Sequence, residues 1–198
     1  MPKRNMNSGK LKNKRITITA LLVLAFSFAF SPIFSQTSEG IHWMSFNEAV
    51  KANQAHPKKI FIDVFTSWCG WCKRMDATTY TDKDLIDYMN KNFYAVRLDA
   101  ETKDTFKFNN HVFTNPNTGR NSMNELAYSL LDAGKNNVGY PTTVYMDEKF
   151  NRLSIAPGYL SADDLKIILR YFAEEKYKTM SYQDYKNSLQ KKDDGGSK

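Results

Sequence analysis

The sequence predicts an α/β layered domain, and the order of its segments carries that prediction. Segments with the composition of strands alternate with segments that have an apolar helical face, as in domains where helices cover a sheet. The last two predicted strands are separated only by a short turn, residues 147–151, so they should add an antiparallel hairpin at one edge. A length of 198 residues favours a single domain of this kind.

The first predicted elements are a helix, a strand and a second helix. Ser45 and Glu48 form a capping-box pattern, which predicts that a helix begins there. Residues 59–65 are apolar and rich in β-branched and aromatic side chains, which indicates a buried strand with one acid, Asp63, inside it. After a short turn, the second helix is predicted to open at Cys69.

The next elements continue the alternation, with one interruption. Thr81 with Asp84 is predicted to cap a helix, and residues 93–99 alternate like a strand. Residues 100–122 are polar and rich in Asn, Thr and Lys, which predicts an inserted loop or small hairpin. This insertion precedes the third core helix, which is predicted over residues 124–131.

The C-terminal part completes the predicted domain, which spans residues 36–178. Strands are predicted at residues 142–146 and 152–155, and Ser161 is predicted to cap the last core helix. Residues 179–198 are expected to form a polar tail with a weak helical stretch and a disordered end, because apolar side chains are scarce there.

The basic charge of the chain is concentrated at its N terminus. The net charge is +7, but residues 1–35 hold six basic residues and no acidic one, so 28 minus six leaves 22 basic against 21 acidic residues. The remainder of the chain has a net charge of +1, which lacks the excess of basic residues that binds a phosphate backbone. Nucleic acid is therefore not an expected partner.

Residues 1–35 are predicted to be a signal peptide. A basic segment is followed by the apolar run of residues 16–30 and then by a short segment that ends at Ser35, where cleavage is predicted. An uncleaved membrane anchor is the alternative, although the apolar run is short for a span of about 20 residues. We expect an exported protein, periplasmic or secreted.

The chain has only two cysteines, and they are three positions apart. Cysteines in exported proteins usually cross-link the fold. A bridge between Cys69 and Cys72 would close only a very small loop, and in the chain-entropy account such a bridge adds little stability. Chemistry explains the pair better than stabilisation does.

A Cys-x-x-Cys pair at the start of a helix indicates a redox site. The N terminus of a helix stabilises a thiolate, which is the attacking form of cysteine. Cys69 is predicted to attack a substrate disulfide, and Cys72, one turn later and less exposed, to resolve the mixed disulfide. The alternatives are a passive structural disulfide and a zinc site, for which His42, His56 and His111 lack a suitable spacing. We expect no metal and no bound cofactor.

The segment IFIDVFTSWCGWCK, residues 60–73, resembles the active-site segment of the thioredoxin superfamily. Within it, the chain is most similar to exported thioredoxin-related proteins, including the periplasmic thioredoxin-like domain of the membrane disulfide reductase that passes electrons outward. The resemblance covers about residues 42–175, apart from the insertion. It implies a thioredoxin fold, in which helices flank a central mixed sheet, and a redox-active disulfide as the only redox group.

The resemblance also implies roles for residues outside the cysteine pair. Asp63 lies six residues before Cys69, where thioredoxins carry a buried acid that could take the proton of Cys72. Pro141 matches the family's cis-proline, and the backbone of Tyr140 would then pair with a bound peptide. A solvent-facing acid and an ordinary trans proline are the alternatives.

Further positions match the family or depart from it. Trp68 and Trp71 flank the cysteines and are predicted to form an apolar docking surface, with packing of Trp68 on the sheet as the alternative. Trp71 follows Gly70 where ordinary thioredoxins have a proline, and this dipeptide helps to set the redox potential. Arg97 stands where thioredoxins often carry a lysine near the buried acid, and Gly158 matches a glycine near the site.

These observations predict an exported thiol–disulfide oxidoreductase, of the kind that reduces protein disulfides. Its partners would be protein or peptide thiols and disulfides, together with a membrane electron donor. An oxidase or isomerase of the same fold is one alternative, since the direction depends on potential and partners. A non-catalytic binding or assembly factor that uses the fold as a platform is the other.

Overall fold

The centre of the domain is a five-stranded mixed sheet with the strand order β1-β3-β2-β6-β7. We describe it from a computed structural model, which covers Met1 and residues 40–117, 119, 122–132 and 138–195. Apart from Met1, the predicted signal peptide lies outside these residues, as does the end of the predicted tail. The sheet and its helices belong to the compact unit Ser38–Lys198.

Strand β2 (Lys59–Phe65) occupies the middle of the sheet. It pairs in parallel with β3 (Phe93–Asp99) and antiparallel with β6 (Thr142–Met146). The outer strands are β1 (Trp43–Met44), parallel to β3, and β7 (Arg152–Pro157), antiparallel to β6. The sheet is therefore mixed, as the resemblance implied, with the antiparallel hairpin at one edge.

Six helices surround the sheet in the described part of the chain. They are α1 (Phe46–Ala55), α2 (Gly70–Ala77), α3 (Lys83–Asn92), α4 (Glu125–Leu131), α5 (Ala162–Ala173) and α6 (Tyr182–Gly195). The side chains of Ser45, Asn124 and Ser161 cap α1, α4 and α5. Among the described helices, none combines the length and the apolar character needed to cross a membrane.

One predicted cap is wrong. Helix α3 is capped by Asp82, whose carboxylate accepts a hydrogen bond from the backbone N–H of Leu85 at 2.8 Å. Thr81 instead ends a short 3₁₀ turn, Thr79–Thr81. Both residue types are good caps, so the sequence pattern alone could not fix which of two neighbours would hold the position.

Alternate side chains of β2 serve the two cores, because successive residues of a strand face opposite sides of a sheet. Ile60, Ile62 and Val64 belong to a core shared with α1 and α4. Phe61 belongs to the opposite core, which is formed with α2, α3 and α5 by side chains that include Met75, Leu85, Met89, Leu165, Leu169 and Phe172. Asp63, two residues after Phe61, faces this second side.

The insertion contains a small hairpin, one of the two forms that the sequence predicts. Its strands are β4 (Phe106–Phe108) and β5 (His111–Phe113). Asn109 and Asn110 both have positive φ at the two-residue turn, a conformation that asparagine tolerates well. Phe106 is buried against Phe46, with ring centroids 6.2 Å apart, so the insertion is anchored on the first core.

The predicted polar tail includes a packed helix, which corrects the expectation of only a weak helical stretch there. In α6, Tyr185 is buried and its ring centroid lies 5.6 Å from that of Tyr171 on α5. The Tyr171 hydroxyl donates to the Met180 carbonyl at 2.8 Å, and Lys186 pairs with Asp164 at 3.2 Å. Besides Tyr185, the helix packs through Tyr182 and Leu189, so a few side chains anchor a segment whose composition is otherwise polar.

Removal of the Tyr185 ring tests this packing. We expect Tyr185→Ala to lower the free energy of unfolding by about 3 kcal/mol, because a buried aromatic ring is lost and the cavity is not refilled. Tyr128→Ala is the control, since that ring is exposed on α4 and its loss should change stability by less than about 0.5 kcal/mol. Urea unfolding of both variants measures the difference, and equal values would show that α6 does not pack as described.

Candidate active site

The two cysteines sit at the point where the buried strand β2 gives way to α2. Cys69 is the N-cap of α2, and its sulfur accepts a hydrogen bond from the backbone N–H of Cys72 at 3.0 Å. The two residues are joined as a disulfide. Cys69 and Cys72 expose 4% and 2% of their surface, so exposure hardly distinguishes them. Their positions on the helix distinguish them. A thiolate on Cys69 would be stabilised by the hydrogen bond from the Cys72 N–H and by the positive end of the helix dipole.

The loop before β6 lies beside this pair. The Tyr140–Pro141 peptide bond is cis, as the resemblance implied. Because Thr142 is paired with Val64, the start of β6 is next to the end of β2, from which the cysteine turn departs. The Tyr140 ring contacts the ring of Trp68 edge to face, with centroids 5.8 Å apart. Pro141 and Tyr140 thus border the site.

Asp63 is a buried carboxylic acid beneath the site. It is 1% exposed, and its neighbour across the parallel strands is Arg97, whose Nε lies 3.0 Å from Oδ2. The buried hydroxyl of Tyr80 interacts with this carboxylate as a hydrogen-bond donor and acts to lower its pKa. Burial raises the pKa of Asp63 to about 6, although the positive charge of Arg97 acts in the opposite direction and Asp76 adds to the rise. The alternative of a solvent-facing strand acid is excluded.

Arg97 joins this acid to the active-site helix. Its terminal nitrogens contact both carboxylate oxygens of Asp76 on α2, at 2.7 and 2.9 Å. The guanidinium also lies over the rings of Phe65, Trp43 and Tyr80, at 4.4, 5.3 and 5.8 Å from their centroids. Arg97 is therefore a paired, partly buried group and not a solvated charge at a strand end.

Sequence reasoning missed Asp76 and Tyr80 in this cluster. The sequence does carry one signal for Asp76, because it lies four residues after Cys72 and so on the same helical face. No comparable signal marks Tyr80, whose contacts with the cluster arise only when the 3₁₀ turn after α2 packs against the sheet.

Two exposed tryptophans flank the disulfide. Trp68 and Trp71 each expose 57% of their surface, so Trp68 is not packed on the sheet. The Trp68 indole N–H donates to Oε1 of Glu101 at 3.1 Å. The ring of Trp71 lies 5.7 Å from that of Tyr159, and the Arg74 guanidinium lies over both rings. Glu101 and Tyr159 were not predicted from the sequence, since each reaches the site from a distant segment.

Backbone conformation explains the glycine at position 158, whereas packing does not explain the one at position 70. Gly158 has a φ of +94°, a conformation that side chains disfavour, and its N–H donates to the Pro141 carbonyl at 2.7 Å. Gly70 is the first residue of α2, and a Cβ built there would meet no atom within 4 Å, so packing alone does not require glycine. Among the described residues, no group of three or more His, Cys, Asp or Glu side chains could hold a metal ion.

A disulfide at a helix N terminus, beside a cis-proline loop and on this five-stranded sheet, defines a thioredoxin-fold protein with a Cys-x-x-Cys redox centre. The model of the thioredoxin-like domain family matches residues 46–173. The chain belongs to this family.

Individual proteins show the same likeness. The chain is 27% identical over 121 residues to the thiol:disulfide interchange protein DsbD of Campylobacter jejuni, a match that covers 61% of this chain but only 17% of that protein. It is 29% identical over 85 residues to an uncharacterized protein of Archaeoglobus fulgidus, over 43% of this chain and 67% of that one. The structure of the oxidoreductase DsbH superposes with a TM-score of 0.50 at 17% identity, covering 77% of this chain and 98% of DsbH, which shows a shared fold.

The raised pKa of Asp63 predicts a pH dependence of stability. The pKa is about 6 in the folded protein and 3.8 for an ordinary aspartate, so the folded state holds the proton more tightly. The contribution of Asp63 to the free energy of unfolding of the oxidised protein should therefore fall as pH rises from about 3 to about 7, by about 3 kcal/mol in all.

Asp63→Asn should remove this dependence. Relative to wild type, the free energy of unfolding of the variant should be about 2 kcal/mol more favourable at pH 7 than at pH 4, because at pH 7 wild type carries a buried charge that the variant lacks. Urea unfolding at the two pH values gives the comparison, with the exposed Asp104→Asn as the control. An identical effect of Asp63→Asn at both values would contradict the assignment of a destabilising buried carboxylate.

Proposed function

We propose that this protein reduces disulfide bonds in other proteins through the Cys69–Cys72 pair. The observation that carries the proposal is the disulfide at the N terminus of α2, with Cys69 as the capping residue. The family membership supports it, as does the likeness to a protein named for thiol:disulfide interchange. The chain spans 17% of the length of DsbD, so the activity of that whole protein is not carried over.

The reaction starts from the dithiol form and transfers two electrons to the substrate. The Cys69 thiolate attacks one sulfur of a substrate disulfide, forms a mixed disulfide and expels the other substrate sulfur as a thiolate. Cys72 then loses its proton and attacks the Cys69 sulfur, which re-forms the Cys69–Cys72 disulfide and releases the second substrate thiolate. Each substrate thiolate takes up a proton, so a disulfide becomes two thiols.

We assign Asp63 the role of accepting the proton that Cys72 loses. A carboxyl with a pKa of about 6 is mostly ionised at pH 7 yet basic enough to accept a proton transiently. Asp63 faces the side of the sheet covered by α2, and through Arg97 it is connected to Asp76, one turn beyond Cys72.

The same acid favours the reducing direction. A dithiol is a strong reductant when its thiolate form is poorly stabilised, because strong oxidants owe their potential to a stabilised reduced form. A buried carboxylate at neutral pH opposes a second negative charge nearby, and Arg97, which could offset it, is shared with Asp76. These charges support a reductase over an oxidase.

The equilibrium potential of the pair tests the direction. We expect a value near that of thioredoxin, about −270 mV, and well below the value of about −120 mV typical of a strong oxidant. Equilibration against a dithiothreitol series, followed by Trp68 and Trp71 fluorescence or by thiol alkylation, gives the number. A potential near −120 mV would overturn the reductase and favour the oxidase alternative.

Single cysteine variants test the chemistry. Cys72→Ser should accumulate mixed disulfides with substrate proteins, because the resolving thiol is absent, whereas Cys69→Ser should accumulate few. Non-reducing electrophoresis after acid quenching detects these species, and the double variant Cys69→Ser, Cys72→Ser is the control. Full cellular function of the double variant would instead favour a binding or assembly factor.

Export and an electron donor complete the proposal. The basic N terminus followed by an apolar run supports a signal peptide, residues 1–35, removed after Ser35 to leave the domain and its C-terminal helix in the periplasm or outside the cell. In such an oxidising compartment, a reductase needs a supply of electrons. We propose a membrane protein that carries electrons outward and reduces the Cys69–Cys72 disulfide after each turnover.

A further inference from the structure

We infer that Glu101 and Asp99, together with the rings of Trp68 and Tyr140, form a recognition surface for a basic side chain close to the cysteine of the substrate. We call these four residues the acidic rim. The inference rests on the proposed function and adds a substrate class: protein segments in which a lysine or arginine lies near the disulfide-bonded cysteine.

Two residues of the acidic rim, Glu101 and Tyr140, contact Trp68 directly. Glu101 is the second residue of the insertion, and Oε1 accepts the Trp68 indole N–H at 3.1 Å, while no described residue donates a hydrogen bond to its second carboxylate oxygen. The Asp99 carboxylate accepts the backbone N–H of Glu101 at 2.9 Å. Tyr140 contacts Trp68 edge to face on the side of the cis-proline loop. The two carboxylates and two rings are thus adjacent.

The electrostatics of Tyr140 show that both carboxylates act at this surface. Burial raises the pKa of the Tyr140 hydroxyl to about 12, and the negative charges of Glu101 and Asp99 add to the rise. Because these charges disfavour the anionic form of Tyr140, its hydroxyl lies in a region of negative potential. A cation placed there would be stabilised by the same charges.

Charge complementarity defines the occupant. In the described part of the chain, neither Glu101 nor Asp99 forms a salt bridge with a basic side chain. A lysine or arginine could meet the second carboxylate oxygen of Glu101 and the exposed face of Trp68 together, which combines an ion pair with a cation–π contact. The acidic rim therefore favours a cationic segment over an anionic one.

The opposite flank of the disulfide differs in charge. There the Arg74 guanidinium lies over the rings of Trp71 and Tyr159, at 5.8 and 5.9 Å from the two centroids. An acidic side chain suits that flank and a basic one is repelled by it. We therefore expect a bound segment to place its basic residue on the Trp68 side. A surface that was acidic on both sides would attract any basic peptide, whereas this one also orients the peptide.

The test uses two peptide disulfides that differ only in charge. Each is a homodimer linked through one cysteine, with lysine beside the cysteine in the first and glutamate in the second. The kcat/KM for reduction is measured with dithiothreitol as the electron source, and each value is divided by the rate of direct reduction by dithiothreitol. This division removes the effect of the flanking charge on the intrinsic reactivity of the peptide.

We expect wild type to prefer the lysine peptide by roughly tenfold, the combined effect of a partly exposed ion pair and a cation–π contact. Glu101→Gln keeps an acceptor for the Trp68 indole but removes the charge, so the preference should fall to about threefold or less. Glu101→Lys should invert it. Asp104→Asn, an exposed acid of the same insertion, is the matched control and should leave the preference unchanged.

Ionic strength separates charge from shape. The preference of wild type should shrink at 0.5 M salt, where the Debye length is only about 4 Å, while the rate with an uncharged peptide should change little. Equal normalised rates for the two peptides, or a preference that Glu101→Gln leaves intact, would overturn the acidic rim and leave the reductase standing. No enzymatic reduction of either peptide or of an unfolded disulfide-bonded protein would overturn the reductase itself.

Discussion

Burial of β2 on both faces organises the domain around this strand. The strand is hydrogen bonded to β3 on one side and to β6 on the other, and the cores packed above and below it take its alternate side chains. The chain leaving its C-terminal end must turn at the edge of the domain. Cys69 begins the next helix at that turn, so the reactive disulfide lies where the buried strand meets the surface.

Burial of β2 also destabilises the ionised form of Asp63, and the nearby positive charge offsets this effect only in part. Asp63 lies between Ile62 and Val64 on β2, and its buried carboxylate is separated from water. Arg97 faces it across the strand pair but also serves Asp76, so one cation is divided between two acids. The result is an acid with a pKa of about 6, poised between its two protonation states near neutral pH. An apolar residue at this position would avoid the cost of burying a charge, so the buried acid is consistent with the proton-transfer role that we propose for it.

The surface around the disulfide carries different charges on its two sides. Both flanks are aromatic, which gives apolar area for contact with a partner, but one flank carries Glu101 and the other carries Arg74. The acidic flank comes from the start of the insertion, and the basic one from the active-site helix. The segment between β3 and α4 thus contributes a negative charge to the surface beside the disulfide.

Most of the features that could be predicted from sequence patterns are local. The strand at residues 59–65, the helix that opens at Cys69 and the hairpin strands follow from composition and turn residues, and the structure has them at those positions. The caps at Ser45 and Ser161 likewise depend on short-range hydrogen bonds. The Cys-x-x-Cys pair indicates its chemistry through spacing alone, because three positions are one helical turn.

Several contacts between distant segments could not be predicted from sequence patterns. Arg97 and Asp76 meet because a strand and a helix pack together, and Glu101 reaches Trp68 across the start of the insertion. Packing also made the polar C-terminal segment part of the domain, through tyrosines whose rings bury well although their hydroxyls are polar. The physical reason is the same in each case: burial and ion pairing depend on position in space, and sequence patterns report such positions only within one helix or one strand.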